Sequence, residues 1–138
     1  MEINNLNFKY YDVTIQICLT GNITCLNGDS ATGKTFILKA LASYYDFQNK
    51  DVKLINHSID YKELENIEYK NTLILCDRFD IWATDTLRLK ISNDVDNGNQ
   101  YVICTRSIWG LGLPMRYLQE VDKSKNMLKT RFKYAEEL

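Results

Sequence analysis

Proline and histidine are almost missing from these 138 residues: Pro114 and His57 are the sole examples of each. A single histidine excludes a multi-histidine metal site and a chain of His-based catalysis. The four cysteines, Cys18, Cys25, Cys76 and Cys104, form no C-x-x-C pair and lie in or beside apolar, strand-like runs. Metal and redox sites need clustered or exposed thiolates, so these cysteines read as small core hydrophobes in a reducing compartment. A formal charge of −1 removes any overall pull toward nucleic acid or anionic membrane, though not a local basic face. No apolar run approaches the ~20 residues that span a bilayer. Met1-Glu2-Ile3-Asn4-Asn5 lacks the basic start and apolar block of a secretory signal, and the expected compartment is the cytoplasm. Low-complexity tracts, repeats and Gly/Ser/Pro linkers are missing too, so residues 1–138 are expected to form one domain.

What is present is patterned. Apolar residues make up 45% and charged residues 25%, enough of the former for a real core. Ile3, Leu6, Phe8 and Tyr10 suggest one strand. Val13, Ile15, Ile17 and Leu19 alternate with Thr14, Gln16 and Cys18 as a second, making a hairpin. Ile23-Thr24-Cys25-Leu26 follows as a third. Lys34 to about Tyr45 has helical spacing, with Ile37, Leu41 and Tyr44 on one face. Val52–Ile55 is a short strand. Asp60-Tyr61-Lys62-Glu63 resembles a capping box opening a helix to about Tyr69. Thr72–Cys76 is a buried strand delivering Asp77, Thr84–Asn93 a helix, and Tyr101–Thr105 another apolar strand. Met115–Val121 and Met127–Tyr134 are expected to close the chain as antiparallel strands around Asp122-Lys123-Ser124. Strands alternating with helices predict an α/β fold: a mostly parallel sheet, a phosphate-loop NTPase core, with antiparallel hairpins at its N- and C-terminal ends.

The chemistry concentrates in Gly28-Asp29-Ser30-Ala31-Thr32-Gly33-Lys34-Thr35, which matches G-x-x-x-x-G-K-[ST] without deviation. Glycines let successive main-chain N–H groups turn inward around phosphates, and the following helix points its positive end at the same anion. Lys34 is expected at the β- and γ-phosphates, and the Thr35 hydroxyl on Mg²⁺. The adjoining Phe36 completes the expected nucleotide-binding set. The motif stands after a strand and opens an amphipathic helix, as the mechanism requires.

Asp77 ends a buried strand and is the expected second Mg²⁺ ligand. Hydrolysis also needs a group that positions water. Many ATPases place Glu directly after the metal Asp; here that position is Arg78, and Asp80 is the nearest acid, either a substitute or a cap for the next segment. Thr105 ends the following strand, where a polar residue can sense the γ-phosphate. Arg106 beside it is a second candidate for that role or a surface charge.

These motifs resemble the phosphate-loop NTPases. Residues 1–45 look like the start of an ATP-binding cassette domain: Ile3-Asn4-Asn5-Leu6-Asn7-Phe8, an aromatic pair, a strand, Gly21, Ile23-Thr24-Cys25-Leu26-Asn27-Gly28 and the loop. The resemblance implies ATP and Mg²⁺, with Tyr10 or Tyr11 stacking on adenine; a core or turn tyrosine is the alternative. It has limits. The interval from Lys34 to Asp77 is too short for the cassette proteins' helical subdomain, no L-S-G-G-Q-like signature occurs, and Ser107 stands near where they carry a catalytic His. The chain thus resembles a minimal or degenerate relative, without their paired dimer being implied.

The expected function is a small ATPase or an ATP-dependent switch acting on a partner, with hydrolysis slow or partner-dependent. One alternative is a nucleoside or nucleotide kinase, since Asp77-Arg78-Phe79 is similar to the Asp-Arg-aromatic segment of thymidylate kinases. Another is a non-hydrolysing regulatory module, whose last strand sets Lys129, Arg131 and Lys133 on a face that could touch nucleic acid or is simply solvated. Ile108, Trp109, Leu111 and Leu113 hint at a protein partner or homo-oligomer, or at core packing. GTP is disfavoured because no N-K-x-D motif follows the Asp77 strand.

Overall fold

The computed structural model describes residues 3–28, 33–56, 62–107, 113 and 118–132. Strands β1 (Ile3–Tyr10) and β2 (Val13–Thr20) form the expected hairpin. Its Tyr11-Asp12 turn is made possible by Tyr11 at φ 54, in the left-handed region. The β2 alternation holds: Ile15, Ile17 and Leu19 are buried. Strand β3 (Ile23–Asn27) leads to the phosphate loop, and helix α1 (Lys34–Phe47) leaves it. Helix α1 buries Ile37, Leu38, Ala40, Leu41 and Tyr45, and ends where Asn49 turns to φ 60.

Strand β4 (Asp51–Ile55) and helix α2 (Lys62–Asn66) follow. Asp60 and Tyr61 of the expected capping box lie outside the described residues, as does His57, whereas Lys62 and Glu63 open α2. Helix α2 stops at Asn66, short of the expected Tyr69. The Lys90 ammonium closes that end by donating to the carbonyls of Leu64, Glu65 and Ile67 at 2.7, 3.1 and 2.9 Å. Strand β5 (Thr72–Cys76) is buried throughout and leads into a one-turn helix α3 (Phe79–Trp82), which periodicity had not suggested. Helix α4 (Asp85–Asn93) opens as expected at Thr84, whose hydroxyl accepts from the Leu87 N–H at 3.1 Å. Strand β6 (Gln100–Thr105) precedes the closing hairpin of β7 (Leu118–Ser124) and β8 (Met127–Phe132).

The sheet departs from expectation. Its order is β1-β2-β8-β7-β3-β6-β5-β4. It is one strongly curled, mixed sheet, half of a barrel, with 44% of the described residues in strands and 29% in helices. The mostly parallel NTPase core with hairpins at its ends is therefore corrected. The β1–β2 and β7–β8 ladders are antiparallel and supply half the strands. The second is no appendage: β8 joins β2 in parallel and β7 joins β3 in parallel, which inserts that hairpin between β2 and β3, while β1 stays at the sheet edge. Two-stranded ribbons twist more than wide sheets, and building the β7–β8 ribbon into the middle of the sheet curls the whole. Turn signals disclose partners within a hairpin, not where the hairpin docks.

The closing turn also moves. Strand β7 runs through Ser124 and reverses at Lys125-Asn126, with Asn126 at φ 61, rather than at Asp122-Lys123-Ser124. Its expected beginning at Met115, and the expected end of β8 at Tyr134, lie outside the described residues.

Both sheet faces are covered. Leu26, Leu73, Leu75 and Val102 pack with α1 residues Ile37 and Leu41 in one cluster. Cys25, Ile74, Cys76 and Ile103 face Leu64, Phe79, Leu87 and Ile91 in the other. Burial on both faces explains the unbroken apolar runs of β5 and β6.

Candidate nucleotide site

The carboxyl ends of β3, β5 and β6 converge. Strands β3, β6 and β5 run parallel to one another, so the segments that follow them lie at one end of the sheet. Strand β6 separates the strand feeding the phosphate loop from the strand feeding Asp77. The two functional segments therefore meet across its tip. The Thr35 hydroxyl donates to Asp77 Oδ2 at 2.8 Å, joining residues 42 positions apart.

Lys34 is only 6% exposed, and its Nζ donates to the Gly28 carbonyl at 2.5 Å. The side chain thus spans the loop from exit to entrance. Asp29, Ser30, Ala31 and Thr32 lie outside the described residues. Gly33 has φ +93, where L side chains are strained, and a Cβ there would meet Leu128 at 3.0 Å. The loop's exit is thus backed by the inserted hairpin.

Asp77 is held from three directions. Its N–H donates to the Ile55 carbonyl at 2.8 Å, its carbonyl accepts from Trp82 Nε1 at 2.7 Å, and its carboxylate accepts from Thr35. Arg78 takes φ 53, ψ 41 and reverses the chain so that α3 folds back. A depression of about 190 Å³ is lined by Lys34, Thr35, Asp77, Arg78, Ile81, Cys104, Thr105 and Arg106. Three cationic side chains share it with one carboxylate, a lining suited to an anion.

The other expected residues divide. Thr105 is 1% exposed and its hydroxyl donates to the Ser107 carbonyl at 2.6 Å, although it lines the depression. The Asp80 carboxylate accepts from the Arg106 N–H at 3.5 Å, tying α3 to the end of β6, and it does not line the depression. Tyr11 sits in the hairpin turn, 80% exposed. Its ring meets Tyr10 edge-on at 4.7 Å, and Tyr10 meets Phe36 at 5.2 Å, so an aromatic chain leads from the turn to the first turn of α1. Ile108, Trp109 and Leu111 lie outside the described residues, whereas Leu113 is buried in the second cluster. On β8, Lys129 is exposed, Arg131 pairs with Glu120 at 2.7 Å and Asp122 at 2.8 Å, and Lys133 lies outside.

Some contributors carry no motif. Asn27 donates its side-chain amide to the carbonyls of Thr105 at 3.3 Å and Arg106 at 3.2 Å, locking the end of β3 to that of β6. Trp82 and Leu128 act from behind the site. Cys104 lines the depression as a thiol: burial pushes its pKa far up, the Asp77 charge adds to this, and Lys34 offsets only part. Among the described residues no three His, Cys, Asp or Glu side chains cluster as a ready metal cage. None of their helices is long and apolar enough to cross a membrane.

No protein-family model and no curated protein matches this chain. The functional reading therefore rests on the loop, the carboxylate and the depression.

Proposed function

We propose that this chain binds ATP with Mg²⁺ and works as a small ATPase or ATP-dependent switch on a partner, a distant relative of the phosphate-loop NTPases. The observation that carries the reading is the 2.8 Å meeting of Thr35 and Asp77 beside the buried Lys34. A hydroxyl and a carboxylate are hard oxygen donors, and Mg²⁺ is typically held by one or two such groups with substrate phosphates and water completing its shell. The donor set fits. Thr35 and Asp77 would hold the ion, Lys34 would neutralise the terminal phosphates, and the ion would withdraw charge from them. Tyr11 and Phe36 are the aromatic candidates for the base.

Turnover is expected to be slow or to need the partner. Asp77 is the sole carboxylate among the described residues lining the depression, and Arg78 follows it where a water-activating acid would serve. Labelled ATP and GTP, titrated with and without Mg²⁺, test binding; Mg²⁺-assisted ATP binding is expected. Phosphate release compared with Lys34→Ala tests catalysis, and equal release by both would count against this site.

A second reading has one observation in its favour. Arg78 and Arg106, distant in sequence, both line the depression beside Lys34, where a phosphorylated acceptor would be received. Screening nucleosides and nucleoside monophosphates for ADP formation separates this kinase reading from hydrolysis. Phosphate release without acceptor favours the first.

A further inference from the structure

Strand β5 ends at Cys76, and its ladder to β6 ends there with the Cys76–Ile103 pair. Asp77 therefore lies one residue past the last β5–β6 pair, and it is buried. A buried carbonyl in that position needs a donor, and a donor there, with the Asp77 N–H held on Ile55, fixes both sides of the Cα from which the carboxylate projects. The donor is an indole. Trp82 Nε1 reaches the Asp77 carbonyl at 2.7 Å.

The segment between them is built for this return. Arg78 adopts the left-handed conformation, Phe79 is wholly buried, and the Phe79 and Trp82 rings meet edge-to-face at 5.4 Å. The Ala83 N–H closes the turn on the Phe79 carbonyl at 3.0 Å. Trp82, itself 7% exposed, is thus fixed before its N–H is directed at Asp77.

We propose that Trp82 is a positioning residue for the metal-binding carboxylate: α3 is a clip whose indole N–H sets the Asp77 peptide so that its carboxylate faces Thr35. The inference rests on the Mg·ATP reading of the site and adds a residue that touches neither nucleotide nor metal. It requires that losing the indole N–H weaken the metal's contribution while leaving contacts to the triphosphate from Lys34 and the loop intact.

Trp82→Phe keeps a ring against Phe79 and deletes the donor. Calorimetric titration with ATP, in EDTA and across a Mg²⁺ series, is the test. The Mg²⁺ concentration for half-maximal enhancement is expected to rise about tenfold, as for other outer-shell partners of metal ligands, with affinity in EDTA unchanged. An unaltered Mg²⁺ dependence, or an equal loss with and without Mg²⁺, overturns the proposal in favour of a purely structural tryptophan. Absence of ATP binding by the wild-type protein defeats the site reading itself, and the inference with it. If Trp82→Phe fails to fold by circular dichroism, Trp109→Phe leaves Trp82 as the one remaining indole. Its emission is then expected to shift when Mg²⁺ is added to the ATP-bound protein, and constant emission overturns the proposal.

Discussion

Gly33 at the exit of the phosphate loop and Leu128 in β8 leave no room between them: a methyl group on Gly33 would lie 3.0 Å from a Leu128 methyl carbon. With φ at +93, Gly33→Ala suffers backbone strain as well as this contact. It is expected to lose about 1–3 kcal/mol of stability by urea denaturation. Trimming Leu128 in the same chain should recover the steric part but not the strain. Leu128→Ala alone should cost about 2–5 kcal/mol, since that side chain is core.

Asp77→Asn keeps the size of the side chain and an acceptor for the Thr35 hydroxyl while removing the charge. Mg²⁺-dependent ATP affinity is expected to fall at least about tenfold, while affinity in EDTA holds or rises slightly. Thr35→Val should behave similarly. Isothermal calorimetry measures both, and a loss confined to the EDTA condition would contradict the assigned ligand roles.

Thiol labelling offers a check that needs no ligand. Burial pushes the Cys25 thiol up to about 12 and raises those of Cys76 and Cys104 strongly. Cys18 is only partly buried, and its pKa is raised by burial alone. At pH 8 the native protein should label once, slowly, at Cys18, and four times after denaturation in guanidinium. Mass spectrometry reads the count.

Asp94 anchors the turn before β6. It accepts from Tyr101 at 2.5 Å, Asn99 at 2.9 Å and Asn97 at 2.8 Å. Burial alone would raise its pKa, but these hydrogen bonds and the Lys90 charge outweigh that and hold it below the usual carboxylate value. A lowered folded pKa means stability that is present above pH ~4 and lost as pH falls through the folded value. Asp94→Asn should cost about 1 kcal/mol at pH 7, the low end because the group is partly exposed. The gap from wild type should narrow below pH ~4 in denaturant titrations.

Local rules carried well here and non-local ones did not. The alternation of Ile15, Ile17 and Leu19, the burial of Ile37 and Leu41 on α1 and the start of α4 beside Thr84 depend on neighbours within a few residues, and each was legible; Tyr45 rather than Tyr44 completes the buried face of α1. Thr35 and Asp77 were each singled out by a separate motif, and the fold brings their side chains to 2.8 Å. The docking of β8 on β2 has no such signature, and without it the curl of the sheet could not be foreseen. The polar run Asp122-Lys123-Ser124 looked like a turn, yet Glu120 and Asp122 find Arg131 across the hairpin, which makes acidic residues acceptable in the strand. Helix α3 depends on Arg78 in a conformation that favours Gly or Asn, so nothing in its composition announced it.

The insertion of the last hairpin has a consequence for synthesis on the ribosome. Strands β2 and β3 are consecutive in the chain but share no ladder, and the strands that bridge them are made after the six other described strands. Until residue 132 has emerged, the N-terminal ribbon and strand β3 have no common sheet, and Gly33 lacks its Leu128 backing. Assembly is therefore expected to be late and slow, with long loops closed before the contacts that reward them.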